Sequence, residues 1–119
     1  MDDIRLSNAE SRFADIIWDN EPVSSGELVK MAADTLGWKK STTYTILRRL
    51  CDKGVFKSEE AIVTSIISKE ELAVMQSEKF VEDTFSGSLP AFLTAFTKRR
   101  KLSDDEIKEL EDLIEKMRR

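Results

Sequence analysis

Apolar positions recur along this chain at helical spacing, then every second residue, then at helical spacing again. Ala9, Phe13, Ile16 and Ile17 form a first stripe that Ser7 opens, with Glu10 three residues on as a capping box. Trp18 closes it, and Asp19-Asn20-Glu21-Pro22 breaks it. Val23 reads as a short extended link, one strand of a small sheet. Ser24 and Glu27 make a second box ahead of Leu28, Met31, Ala32 and Leu36, and Gly37 ends that helix. Trp38 sits as a core wedge in the turn that follows. A third helix is expected over Ser41–Lys53, started by the hydroxyls of Ser41, Thr42 and Thr43 and stopped at Gly54. Thr43, Ile46, Leu47 and Leu50 would face its core.

After Gly54 the period changes. Val55-Phe56-Lys57 and Ile62–Ile67 are rich in β-branched and aromatic residues, and Ser58-Glu59-Glu60-Ala61 separates them as a turn. Three helices followed by a hairpin make a winged helix, and Ser25–Leu36, Gly37–Lys40 and Ser41–Lys53 lay out its helix-turn-helix.

The remainder is helical. Ser68 and Glu71 open a helix that runs towards Gly87, Pro90 opens a short one, and Ser103 with Glu106 opens the last. Ile107, Leu110, Ile114 and Met117 then step by three and four as a helix-pairing seam. With Leu72, Phe80, Phe85, Leu89, Phe92, Leu93 and Phe96, this is more apolar surface than short helices can hide alone. A homodimer follows as the expected form. The fold class is therefore mainly α, with a winged helix-turn-helix over residues 1–67 and a helical dimerisation region over residues 68–119.

Charge sharpens this picture. The net charge is −4, yet Gly37–Lys57 carries +5, from Lys39, Lys40, Arg48, Arg49, Lys53 and Lys57 against Asp52 alone. Residues 1–57 are neutral, 58–97 carry −5 and 98–119 carry +1, so the acidic middle is expected to stay away from nucleic acid. A positive stripe on an acidic chain points to a phosphate backbone. The exposed face of the third helix would show Ser41, Thr42, Tyr44, Thr45, Arg48 and Arg49, with Lys39, Lys40 and Lys57 beside it.

Other chemistry finds little footing. The chain has one cysteine, Cys51, and no histidine, so neither a disulfide, a metal site nor an imidazole base is expected, and no cofactor either. No glycine-rich phosphate loop or strand-borne nucleophile appears, which argues against an enzyme. No apolar run approaches a membrane span, and MDDIRLSNAE lacks a signal-peptide segment, so a cytoplasmic location without membrane insertion is expected.

LSNAESRFADIIW (Leu6–Trp18), WKKSTTYTILRRLCDKG (Trp38–Gly54) and KLSDDEIKELEDLI (Lys101–Ile114) resemble the penicillinase repressor (BlaI/MecI-type) family, in order and over almost the whole chain. The resemblance implies a winged-helix repressor of β-lactam resistance genes, dimeric through its C-terminal helices and bound to a two-fold operator. It also implies release when a membrane β-lactam sensor triggers proteolysis. By position it assigns DNA contact to Ser41, Thr42, Tyr44, Thr45, Arg48 and Arg49, with Arg49 as a phosphate anchor and Tyr44 and Arg48 choosing sequence. Two departures stand out. The wing tip carries Glu59 and Glu60 where family wings often carry Arg or Lys, and the family's Asn-Phe scissile pair is here Ala95-Phe96. The family's copper-responsive relatives use C-terminal cysteines that this chain lacks. A winged helix that binds protein rather than DNA is the rival reading, which the acidic net charge favours.

Overall fold

The computed structural model describes residues 3–119. In chain order it holds α1 (Asn8–Asn20), β1 (Val23–Ser24), α2 (Ser25–Leu36), α3 (Lys40–Asp52), β2 (Phe56–Glu59), β3 (Ile62–Ser65), α4 (Lys69–Phe85), α5 (Leu89–Phe96) and α6 (Asp104–Met117). The chain divides into two compact units, and the division falls inside α4, after Lys79.

The first unit is a three-helix bundle closed by a small antiparallel sheet of order β1-β3-β2. Phe13, Ala14 and Ile17 of α1, Leu28 and Ala32 of α2, and Ile46, Leu47 and Leu50 of α3 meet in one core with Val55, Phe56 and Val63. The winged helix read from the sequence over residues 1–67 lies within this unit, which continues through the first part of α4 to Lys79. Val23 pairs with Val63, so the short link is indeed a strand. Trp18 donates its ring N–H to the carbonyl of Ile67 at 3.0 Å, and Glu21 Oε1 accepts from the Ser65 amide and hydroxyl at 2.7 and 2.8 Å. The wing is thereby fastened to the end of α1.

Serine caps open the helices, with one exception. Ser7, Ser24, Ser68, Ser88 and Ser103 each accept from the amide three residues on. Ser7, Ser68 and Ser103 form the full reciprocal box. The exception is α3. It begins at Lys40 rather than Ser41, and its N-cap Lys39 provides no side-chain cap. The expected capping by Ser41, Thr42 and Thr43 does not occur. Thr43 is 1 % exposed and turns its hydroxyl back to the Lys39 carbonyl. Its methyl face belongs to the core, so the hydroxyl can only satisfy itself along the helix.

The wing turn is also tighter than the four residues expected. Ser58 and Glu59 belong to β2, pairing with Val63 and Ile62. The turn is Glu60-Ala61 alone, with φ of 51° and 65°. A two-residue hairpin needs left-handed backbone at both centres so that its twist matches the strands. Here that requirement falls on residues other than glycine, at a steric cost.

In the second unit, residues 80–119, no residue is buried. Its centre is aromatic: the Phe85 ring lies 5.9 Å from Phe80 and 5.6 Å from Phe92, and Phe92 lies 5.8 Å from Phe96. The edge-on arrangement of Phe80, Phe85 and Phe92 is the one aromatic quadrupoles prefer. Among the described residues no helix is long and apolar enough to cross a membrane.

Candidate nucleic-acid interface

The turn between α2 and α3 sets where α3 begins. Gly37 takes a left-handed conformation, φ 71°, which only glycine adopts without strain. It ends α2 by donating to the Ala33 carbonyl, and Trp38 donates to Ala32. The Trp38 ring then packs on Phe13 at 5.4 Å, as the sequence reading of a core wedge expects. Lys39 and Lys40 follow, exposed at the head of α3.

Thr43, Ile46, Leu47 and Leu50 are buried, as expected. Ser41, Thr42, Tyr44, Thr45, Arg48 and Arg49 are exposed. Ser41, Thr45 and Arg48, at steps of four and three, form the line opposite the core. Thr42 and Arg49 share one flank of that line and Tyr44 lies on the other. The Thr45 hydroxyl donates to the Ser41 carbonyl at 2.9 Å, so its proton is in use and its oxygen is left to accept.

Electrostatics separates this face from the rest of the unit. Elsewhere in the unit Lys30 is paired with Glu27 at 3.6 Å, Lys57 with Glu59 at 3.4 Å and Lys69 with Asp15 at 3.0 Å, while the exposed Arg12 of α1 has no side-chain partner among the described residues. Lys53, counted in the positive stripe by sequence, is spent on Glu10 at 2.6 Å and on the Arg5 carbonyl. The side chains of Lys39, Lys40, Arg48 and Arg49 have no hydrogen bond or ion pair among the described residues. The first amides of α3 also lack a side-chain cap, so positive partial charge joins Lys39 and Lys40 at the N-terminal end of that helix.

The wing differs from expectation at Lys57. It is exposed, but its ammonium lies beside Glu59 on its own strand, so half of the wing's acidic pair is internally balanced. Ile62, opposite Glu59, is 44 % exposed and was not singled out by sequence.

The residues assigned to dimerisation fall into three groups. Phe80, Leu89, Phe96, Ile107, Ile114 and Met117 are exposed, from 40 % at Phe96 to 72 % at Met117. Phe85, Phe92, Leu93 and Leu110 are half-buried. Leu72 is a correction: it is 3 % exposed inside the first unit and has no surface left to offer a partner. Leu113, 49 % exposed on α6, belongs with the exposed group and was missed, because the three-and-four stepping steps over it. Ala95 and Phe96 lie in the last turn of α5, which the Thr97 amide closes on the Leu93 carbonyl at 3.0 Å.

Cys51 is half-buried and its thiol is pushed up, first by burial and then by Asp52, so it stays protonated. Among the described residues no group of His, Cys, Asp and Glu could hold a metal ion.

Comparison with known proteins gives consistent matches. Residues 6–116 match the family model described as penicillinase repressor. The penicillinase repressor of Bacillus licheniformis is 26 % identical over 115 residues, covering 93 % of this chain and 90 % of that protein. The methicillin resistance regulatory protein MecI of Staphylococcus aureus strain Mu50 is also 26 % identical, covering 93 % of this chain and 94 % of that one. Among solved structures, the Bacillus licheniformis BlaI monomeric form in complex with the blaP half-operator has a TM-score of 0.50 at 26 % identity, covering 57 % of this chain and 88 % of that one.

Proposed function

Because this chain belongs to the penicillinase repressor family, we propose that it is a cytoplasmic DNA-binding transcriptional repressor of β-lactam resistance genes. It binds a two-fold operator as a homodimer. The observation that carries this reading is the exposed face of α3, where Lys39, Lys40, Arg48 and Arg49 stand without acidic partners on a chain of net charge −4. The solved relative held on a half-operator supports one winged helix per half-site.

The geometry divides the work. A helix placed in the major groove presents the line opposite its own core to base edges and its flanks to the two backbones. Arg48 lies on that line and suits the O6 and N7 of guanine. Tyr44 reads beside it. Thr45 accepts from a base amino group, since its own proton is held by Ser41. Arg49 and Thr42 anchor phosphate from one flank. Lys39, Lys40 and the uncapped amides meet phosphate at the head of the helix. Lys57 contributes only if it leaves Glu59.

The dimer forms through the exposed apolar residues of α5 and α6, with Phe80. Release follows when a signal from a membrane β-lactam sensor, by proteolysis or otherwise, separates the two copies and so removes the second half-site. Ala95-Phe96 lacks the family's Asn and is held in a helix that must open before a protease can cut it.

Binding of the purified protein to its own upstream DNA, followed as salt is raised, tests the reading. Affinity should fall steeply and linearly on logarithmic axes. A flat salt response, or retention of protein rather than DNA, would instead make this a winged helix that docks on protein.

A further inference from the structure

We propose that the loop between α5 and α6 is a second, sequence-independent DNA contact, made by Lys98, Arg99 and Lys101 on the phosphate backbone of duplex DNA. The inference rests on the repressor reading and adds to it a contact outside the winged helix.

Thr97–Leu102 carries four cations in succession, Lys98, Arg99, Arg100 and Lys101. All four are exposed. Arg100 is engaged: its guanidinium lies 5.4 Å from the centre of the Phe96 ring and 3.7 Å from Glu106. Leu102 is half-buried and lines a groove on α6 with Leu110 and Leu113. These two residues tie the loop down. The side chains of the three cations around them have no hydrogen bond or ion pair among the described residues. They are therefore the same kind of group as the four on α3, unpaired positive charge on an acidic chain, but held on the second unit. A loop already tied down loses little freedom on binding, so its contacts are retained as affinity.

Asp104, Asp105 and Glu106 follow directly and oppose the contact. Glu106 is occupied, since Oε1 accepts the Ser103 amide and Oε2 faces Arg100. Asp104 and Asp105 lie on the first turn of α6, where the helix terminus offsets part of their charge. A lipid surface fits less well than DNA, because one face of the aromatic that would insert, Phe96, already carries the Arg100 guanidinium.

The test compares the full chain with Lys98→Gln/Arg99→Gln/Lys101→Gln, which leaves Arg100 and its contacts in place. Fluorescence anisotropy with a random-sequence duplex is recorded between 50 and 200 mM salt, after circular dichroism and sedimentation show an unchanged fold and assembly. Each phosphate contact removed should shrink the loss of affinity across that range by about 3-fold. The sequence preference should stay the same. Asp104→Asn/Asp105→Asn should bind the random duplex more tightly. An unchanged salt slope in the triple variant overturns the proposal, as does a loss confined to vesicles of anionic phospholipid. If the wild-type chain binds no DNA at all, the repressor reading itself has failed, a result distinct from either.

Discussion

Lys53 Nζ lies 2.6 Å from Glu10 Oε1 and 2.6 Å from the carbonyl of Arg5, so the last turn of α3 is tied to the first turn of α1 by a charge that the sequence alone counts in the positive stripe. Glu10 is 2 % exposed, and the same Oε1 also accepts the Ser7 amide at 2.7 Å. Burial raises the Glu10 carboxyl, but hydrogen bonds from Lys53 and Ser7 outweigh it and hold the group below its ordinary value of 4.5. The carboxylate therefore contributes stability that is fully present above pH 4.5 and is lost as pH falls through its lower folded value. Lys53→Met should leave a buried, unpaired carboxylate and destabilise by about 2 kcal/mol, less than a fully buried pair because Lys53 is partly exposed. Adding Glu10→Gln should recover part of that loss and flatten the acid limb, as urea unfolding at pH 3 to 7 would show.

Arg49→Ala should weaken specific and random DNA alike and flatten the salt slope by about one phosphate. Arg48→Ala or Tyr44→Ala should instead relax base choice at particular positions, by about 1–3 kcal/mol where a bidentate pair is lost. Binding-site selection with each variant separates the two roles. A changed preference in Arg49→Ala with none in Arg48→Ala would reverse the assignment.

The wing should repel DNA in the form it has. Glu59→Lys/Glu60→Lys should raise affinity for any duplex and steepen its salt dependence. Part of the gain comes from Lys57, which loses its partner on β2. The ratio of specific to random binding should drop, because phosphate contacts carry no sequence. Unchanged affinity at low salt would place the wing beyond electrostatic reach.

The same turn offers a stability test. Ala61 holds a left-handed backbone with φ 65°. Ala61→Gly should raise stability by about 0.5–1 kcal/mol, the relief of Cβ crowding less the freedom glycine adds to the unfolded chain. Thermal unfolding measures it, and a fall in midpoint would contradict the strain.

Assembly through α6 should be sensitive to one charge. Ile114 is 50 % exposed and Met117 is 72 % exposed on the last turns of that helix. Ile114→Glu should shift sedimentation from dimer to monomer and weaken operator binding by more than tenfold, since a single half-site remains. A dimer that survives would move the interface to Phe80, Leu89 and Phe96.

Gly37, Gly54 and the serine-glutamate pairs are local signals, and they gave the helices of the first unit to within a residue or two. The wing's strands were legible from Val55-Phe56 and Ile62-Val63, whose β-branched and aromatic character has no helical period. What failed was non-local or against type. Glu10 looks like a solvated capping residue, and the Lys53 ammonium, 43 residues away, joins the local Ser7 bonds in making its burial tolerable. Glu60-Ala61 carries none of the Asn-Gly chemistry that marks a two-residue turn, so the hairpin read as longer. Ser41 resembles a helix start more than Lys39 does, yet burial of Thr43 sets the helix one residue earlier than capping preference would. On the exposed face the residue types were readable, but which cations are already paired was not, because pairing depends on neighbours brought close by the fold.

Trp18 and Trp38, the two tryptophans of the chain, and Tyr44, its one tyrosine, all lie in the first unit. The second unit is built on phenylalanine. Emission excited near 295 nm thus comes from the winged helix alone, and the helices that follow Lys79 are optically silent at that wavelength. Far-ultraviolet dichroism sees both. Melting curves from the two signals will overlay if the chain unfolds as one cooperative body and will part if the second unit loosens first.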